Sequence, residues 1–71
     1  MNYSDAITAV NTGTKCAYLT TWPSPVSIVL WTDSKIHVVA QDDLGVFSPT
    51  EEQENATNWA TAPYDGDLPP R

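Results

Sequence analysis

Seventy-one residues make one domain at most, close to the lower size limit for independent folding, so assembly into an oligomer is a natural supplement to its stability. The formal charge is −6, with only Lys15, Lys35 and Arg71 as cations, and such a chain repels polyanions; DNA and RNA are not expected partners. An apolar share of 41% argues against wholesale disorder, and no apolar run approaches the roughly 18 residues that span a bilayer.

Tyr3, Ala6, Ile7 and Val10 recur at the i, i+3, i+4, i+7 spacing of one helical face. Ser4 can cap the start, Asp5 suits the positive end of the dipole and Gly13 suits a left-handed stop, so the pattern predicts a short helix near residues 4–11. So short a helix must dock its apolar side to persist. Residues 15–20 alternate and are rich in strand formers, which predicts a first strand. Trp22-Pro23-Ser24-Pro25 ends it, because proline lacks an N–H and restricts the residue before it. A second strand over 26–31 places Val26, Ile28 and Leu30 on one face, and Ser27, Val29 and Trp31 on the other. Thr32-Asp33-Ser34 is a turn by composition, and a third strand over 36–40 completes a hairpin with the second.

Residues 41–45 read as a loop. Ser48-Pro49-Thr50-Glu51 then carries a helix-start signature: Ser48 as cap, Pro49 at the first helical position and Glu51 closing a capping box. The predicted helix covers about 49–55, a strand over 57–61 carries Trp59, and an acidic, proline-containing tail occupies 63–71. The expected fold is α+β: a small antiparallel sheet of three to four strands, one N-terminal helix packed on it and a second short helix, within a single domain over 1–62.

Seven of the nine acids follow residue 41, an asymmetry that serves solubility if nothing else. Cys16 has no second cysteine to pair with, which fits a reducing cytoplasm, and with only His37 beside it offers no zinc site. No secretory signal opens the chain, so export is not expected. Asn55-Ala56-Thr57 matches a glycosylation acceptor, a match of no consequence without secretion.

Two segments together resemble a known family. Tyr3-Ser4-Asp5-Ala6-Ile7, followed by Gly13-Thr14-Lys15-Cys16-Ala17, is similar to an opening of an aromatic, an Ala-Leu pair on a short helix, a Gly-x-Lys-Val-Ala strand entry and a Trp. Trp22 stands one residue later than that Trp. Residues 47–59 are similar to the pattern Trp-x-Pro-Ser/Thr-x-x-Asp-Leu-x-Ala-x-Asp-Trp. Pro49, Thr50, Ala56 and Trp59 match it outright, while Phe47 stands for Trp, and Gln53 and Asn58 stand for Asp. On these residues the chain resembles the Thoeris anti-defence 2-like family of phage nucleotide sponges, across about residues 1–62. It departs at Tyr18, near a common Arg, and at Gln53. The resemblance implies a homo-oligomer, dimer or tetramer, in the cytoplasm of an infected bacterial host. It also implies sequestration of a cyclic nucleotide immune signal, either a cyclic ADP-ribose isomer or a CBASS cyclic oligonucleotide, with no cofactor and no cleavage.

Sequestration needs a flat π-face for a base and donors for phosphate or ribose. Trp22, beside a rigid proline-bounded loop, is the leading stacking candidate, with a core or subunit-contact role as the alternative. Donors are expected from the start of the second helix, where orphaned amides and the Ser48 or Thr50 hydroxyl can meet an anion; an ordinary capping box is the plainer reading. Phe47 is a pocket wall or core, and Gln53 and Asn58 can read a base edge. The expected ligand-binding set is therefore Trp22, Phe47, Ser48, Pro49, Thr50, Gln53 and Asn58. Trp31 and Trp59 read mainly as packing residues. Lys35 and His37, two apart on a strand, are solvent-exposed or reach a phosphate across a subunit boundary, and Tyr18 stacks on a ligand or covers the sheet.

Catalysis finds little support: Cys16 reads as a small buried hydrophobe rather than half of a Cys16–His37 pair, Asp42-Asp43 as solvated loop acids, and no Gly-rich phosphate loop is present. A competing expectation is a small acidic phage protein that masks a basic surface on a host protein; a nucleotide hydrolase ranks last.

Overall fold

The computed structural model describes residues 1–23, 26–40 and 43–66. Its first element, α1 (Tyr3–Val10), starts one residue earlier than the predicted span of 4–11, and its cap lies two residues before Ser4. Asn2 caps it instead, its side chain accepting from the Asp5 N–H at 2.9 Å. Asn and Ser are equivalent caps in energy, and the earlier start brings Tyr3 onto the helical stripe. Ala6 and Val10 are fully buried and Tyr3 and Ile7 half-buried. After the Asn11 cap, Gly13 takes the left-handed conformation (φ 79°) that a side chain would resist, and the chain reverses into the sheet.

Five antiparallel strands follow: β1 (Lys15–Leu19), β2 (Ser27–Leu30), β3 (Ile36–Val39), β4 (Leu44–Val46) and β5 (Trp59–Pro63), in the spatial order β4-β3-β2-β1-β5. β1 is thus flanked by β2, with Ala17 opposite Ile28, and by β5, paired from Lys15↔Pro63 to Leu19↔Trp59. The β2–β3 hairpin forms as its sequence predicts, from Ser27↔Val39 to Leu30↔Ile36. Its turn is closed by Trp31 N–H to Lys35 O (2.9 Å), Ser34 N–H to Trp31 O (3.0 Å) and Lys35 N–H to Asp33 Oδ1 (3.0 Å), with Ser34 held at φ 65°.

Three expectations change. The sheet has five strands rather than three or four, because 44–46 is a strand and not a loop. Three residues centred on Gly45 carry too little alternation to register as a strand; the open edge of β3 recruits them by pairing Leu44, Gly45 and Val46 with Val39, Val38 and His37. The second helix, α2, spans Glu51–Asn55 only, and its cap is Thr50, not Ser48. Thr50 Oγ1 accepts from the Gln53 N–H at 3.2 Å and Gln53 Oε1 accepts from the Thr50 N–H at 2.9 Å, so the capping box is Thr50/Gln53 rather than Ser48/Glu51. Both frames were available locally. The observed one leaves the Gln53 carbonyl where the Trp59 indole N–H donates to it at 3.0 Å. Finally, the ordered chain continues past 62: Pro63 ends the edge strand β5, where a missing donor costs little, and the Tyr64 N–H donates to Thr14 O at 2.9 Å. Of the predicted tail, 67–71 lies outside the described residues.

Strand alternation divides the side chains into two sets. Against α1 lie Ala17, Leu19, Ile28 and Trp59, edged by Leu30, Ile36 and Val38. On the opposite face Cys16, Val29 and Val39 are buried with Trp31, Ala62 and Tyr64 packed on them. Trp59 is the hub of the helix-side core, 2% exposed and in ring contact with Trp22 (centroids 5.5 Å, 78°), Tyr3 (5.7 Å, 57°) and Phe47 (6.5 Å, 86°). Edge-to-face geometry of this kind stabilises beyond simple burial. Among the described residues no helix is long and apolar enough to cross a membrane.

Candidate functional site

The turn after β1, the start of α2 and the residues just before β5 enclose a concavity of about 490 Å³. Four of the seven expected ligand-binding residues line it: Trp22, Thr50, Gln53 and Asn58. They come from three segments separated by up to 36 residues of sequence, and each is held by a specific bond. The Trp22 N–H donates to Leu19 O at 2.9 Å, closing the turn that presents the indole, and one side of that indole rests against Trp59. Asn58 is clamped to the end of β1 twice: its carbonyl accepts from the Thr20 N–H at 3.1 Å and its Nδ2 donates to Thr20 Oγ1 at 3.0 Å. Gln53 is oriented by the capping box. A backbone N–H can only donate, so Oε1 is the atom facing Thr50 N, and the Nε2 end of the amide remains available as a donor.

Phe47, Ser48 and Pro49 are not in this lining. Phe47 is half-buried against Trp59, with its N–H donating to Ile36 O at 3.0 Å, and so takes the core role left open beside the pocket-wall role. Ser48 is exposed and Pro49 half-buried ahead of α2, one step outside the cleft once Thr50 becomes the cap. The lining adds Leu19, Thr21, Glu52 and Ala56, which sequence reasoning did not single out. Thr21 and Glu52 are the immediate neighbours of Trp22 and Gln53, and that adjacency was the only available signal. Leu19 has none beyond being apolar, and Ala56 only its match to the family pattern.

The electrostatics differ from the expectation of an amide-lined anion site. Two amides at the start of α2, those of Thr50 and Gln53, already donate within the capping box. Glu51, Glu52 and Glu54 crowd the first turn, and among the described residues no Lys, Arg or His lines the cleft. A five-residue helix also carries little dipole, so the cleft suits the uncharged part of a ligand better than its phosphate. Just behind it, burial and then the Glu54 carboxylate push the Tyr3 phenol above its ordinary value of 10.0.

The remaining candidates lie elsewhere. Tyr18 is half-buried on the face away from α1, and Cys16 on that face is fully buried. Lys35 precedes β3 and is exposed, whereas His37 is 8% exposed, contrary to a solvated pair. The His37 ring contacts Lys35 O through Nδ1 at 3.1 Å, sits 3.8 Å from Asp33 Oδ2 through Nε2 and lies 6.1 Å from the Trp31 ring. β2 separates its strand from that of Cys16, about 10 Å at normal strand spacing, so the two do not form a nucleophile–base pair. Among the described residues no three of His, Cys, Asp and Glu converge on a metal position, and of the Asp42-Asp43 pair Asp42 lies outside the described residues while Asp43 is exposed. No family model, characterised protein or solved structure matches the chain.

Proposed function

We propose that the chain is a non-catalytic sponge that sequesters a cyclic nucleotide immune signal, a cyclic ADP-ribose isomer or a CBASS cyclic oligonucleotide, in the cytoplasm of an infected bacterial host. The observation that carries the reading is the convergence of Trp22, Thr50, Gln53 and Asn58 on one concavity of about 490 Å³, within the size range of small-ligand sites. Trp22 supplies the stacking surface, an interaction of about 1–3 kcal/mol per base. Gln53 Nε2, the Thr50 hydroxyl and the Asn58 amide supply hydrogen bonds for a base edge or a ribose. The phosphates face away from Glu52, toward donors from a second copy in a homodimer or homotetramer. The family resemblance in residues 1–17 and 47–59 supports the same role.

A sponge acts by mass action, which demands an affinity around nanomolar. Calorimetry against a panel of cyclic nucleotides tests this: one member binds tightly, is recovered unmodified after denaturation, and loses at least about tenfold in affinity with Trp22→Ala. Silence across the panel overturns the reading, and recovery of altered ligand replaces it with a hydrolase.

One observation favours the second reading, inhibition of a host protein. β4 is an edge strand whose Leu44 and Val46 are 43% and 64% exposed, and open edges of this kind accept a strand from a partner. Capture of a host protein that is lost with Val46→Lys, together with a silent nucleotide panel, selects that reading.

A further inference from the structure

The two outer edges of the sheet are finished differently. Along β5 the Tyr64 N–H bonds Thr14 O and the Thr20 N–H bonds Asn58 O, so Trp59, Thr61 and Pro63 turn their backbone groups outward. Trp59 is closed off by Met1, donating to its carbonyl at 3.2 Å and accepting from its amino group at 2.9 Å, and Pro63 has no N–H to offer. At the other edge the Ala40 N–H donates to Asp43 O and the Phe47 N–H to Ile36 O, both at 3.0 Å. Ladder alternation then bonds Gly45 to Val38 and turns the N–H and C=O groups of Leu44 and Val46 to the open side. Among the described residues nothing bonds to these groups, and no proline or charged side chain interrupts the strand.

We propose that β4 is the seat of a homodimer, in which a second copy of this chain adds its own β4 antiparallel across a two-fold axis at Gly45 and joins two sheets into one. The register follows from which groups point outward. Leu44 exchanges both N–H···O bonds with the partner's Val46, and Val46 does the same with the partner's Leu44, so one patch serves both sides of the axis. Gly45 meets the partner's Gly45 in the unbonded pair between them, where Cα atoms approach to about 4.5 Å. Neither carries a side chain to obstruct this, and among the described residues nothing lies within 4 Å of where a Cβ would stand.

Opposite positions across a ladder share a face, so Leu44 lies beside Val39 and Val46 beside His37, on the side of the sheet away from α1. These two side chains are 43% and 64% exposed in the single chain, and pairing sets each against an apolar counterpart. Both copies carry −6, yet the register places Asp43 opposite the partner's uncharged Phe47. The two Asp43 residues then stand four positions apart along the ladder, about 14 Å, beyond the screening length of about 8 Å at physiological salt. The strand is complementary to its own reversed copy, apolar against apolar and glycine against glycine, which selects a second copy over a foreign segment. β4 shares no residue with the lining of the Trp22 cleft, and the pairing does not depend on that cleft's function.

Light scattering on the full chain from about 10 µM to about 1 mM tests the assignment. The mass climbs from 7.8 kDa toward twice that value. Over the same range amide exchange slows several-fold at Leu44 and Val46, while Gly45, already bonded to Val38, is unchanged. Raising salt from about 50 mM to about 500 mM strengthens association several-fold by screening the two negative charges. Val46→Lys, at an exposed position, weakens association at least about tenfold and leaves the Gly45 amide protected. Trp22→Ala leaves association unchanged, which separates this edge from the cleft. The proposal is overturned by a mass that stays at 7.8 kDa throughout, by a doubled mass without slowed exchange at Leu44 and Val46, or by association that survives Val46→Lys. Capture of a foreign protein by a chain that stays monomeric overturns it too, and gives the edge to the inhibitor reading.

Discussion

The two faces of the sheet solve the same burial problem with different material. Beneath α1 a large indole, Trp59, is the centre, and Tyr3, Trp22 and Phe47 contact it through their rings. On the other face the buried residues are Cys16, Val29, Val39, Ser27 and His37, none as large as an indole, with Trp31 and Tyr64 at the margin. Each face therefore places aromatic residues at a rim, Trp22 at one end of β1 and Trp31 with Tyr64 at the other, and each rim has a concavity beside it. The difference lies in what surrounds the ring. Trp22 stands among groups that read hydrogen-bonding patterns, and Trp31 beside Leu30, Thr32, Tyr64 and Asp65.

The contrast can be broken most forcefully at the hub. Trp59→Ala removes the common partner of three rings and the indole bond to Gln53, and is expected to cost about 3–5 kcal/mol, most of the stability of so small a domain. Urea denaturation measures it, and a loss below about 1 kcal/mol denies Trp59 its central place. On the opposite face Val29→Ala is expected to cost about 2 kcal/mol, less because a smaller cavity is left. A cost equal to that of Trp59→Ala would erase the distinction between the faces.

Smaller still is the cap. Thr50→Ala is expected to lower stability by about 1 kcal/mol and to release Gln53, so ligand affinity falls while Ser48→Ala, outside the box, changes neither. The finest probe is alkaline titration. Because folding raises the Tyr3 phenol above 10.0, its contribution is whole below that value and is lost as pH climbs through the folded-state value. Stability measured along that rise falls less steeply in Tyr3→Phe; an unchanged slope assigns the alkaline loss to other groups.

Local pattern determined a good deal of this protein. The helical stripe from Tyr3 to Val10, the β2–β3 hairpin with its polar turn and the burial of Cys16 and Trp59 follow from periodicity and residue size, which act over a few neighbours. Trp22 and Thr50 were also legible as candidates, because an aromatic beside prolines and a cap-like cluster are local signals, whereas Gln53 and Asn58 stood out through their places in the family pattern. What neighbours cannot decide is which of two overlapping frames closes a capping box, or whether Leu44-Gly45-Val46 is a loop or an edge strand. Those choices rest on partners far along the chain: the Trp59 indole at the end of α2, and the unpaired edge of β3. The cleft is of the same kind. It exists because β5 returns alongside β1 and sets Asn58 against Thr20, a pairing across 38 residues that no local spacing encodes.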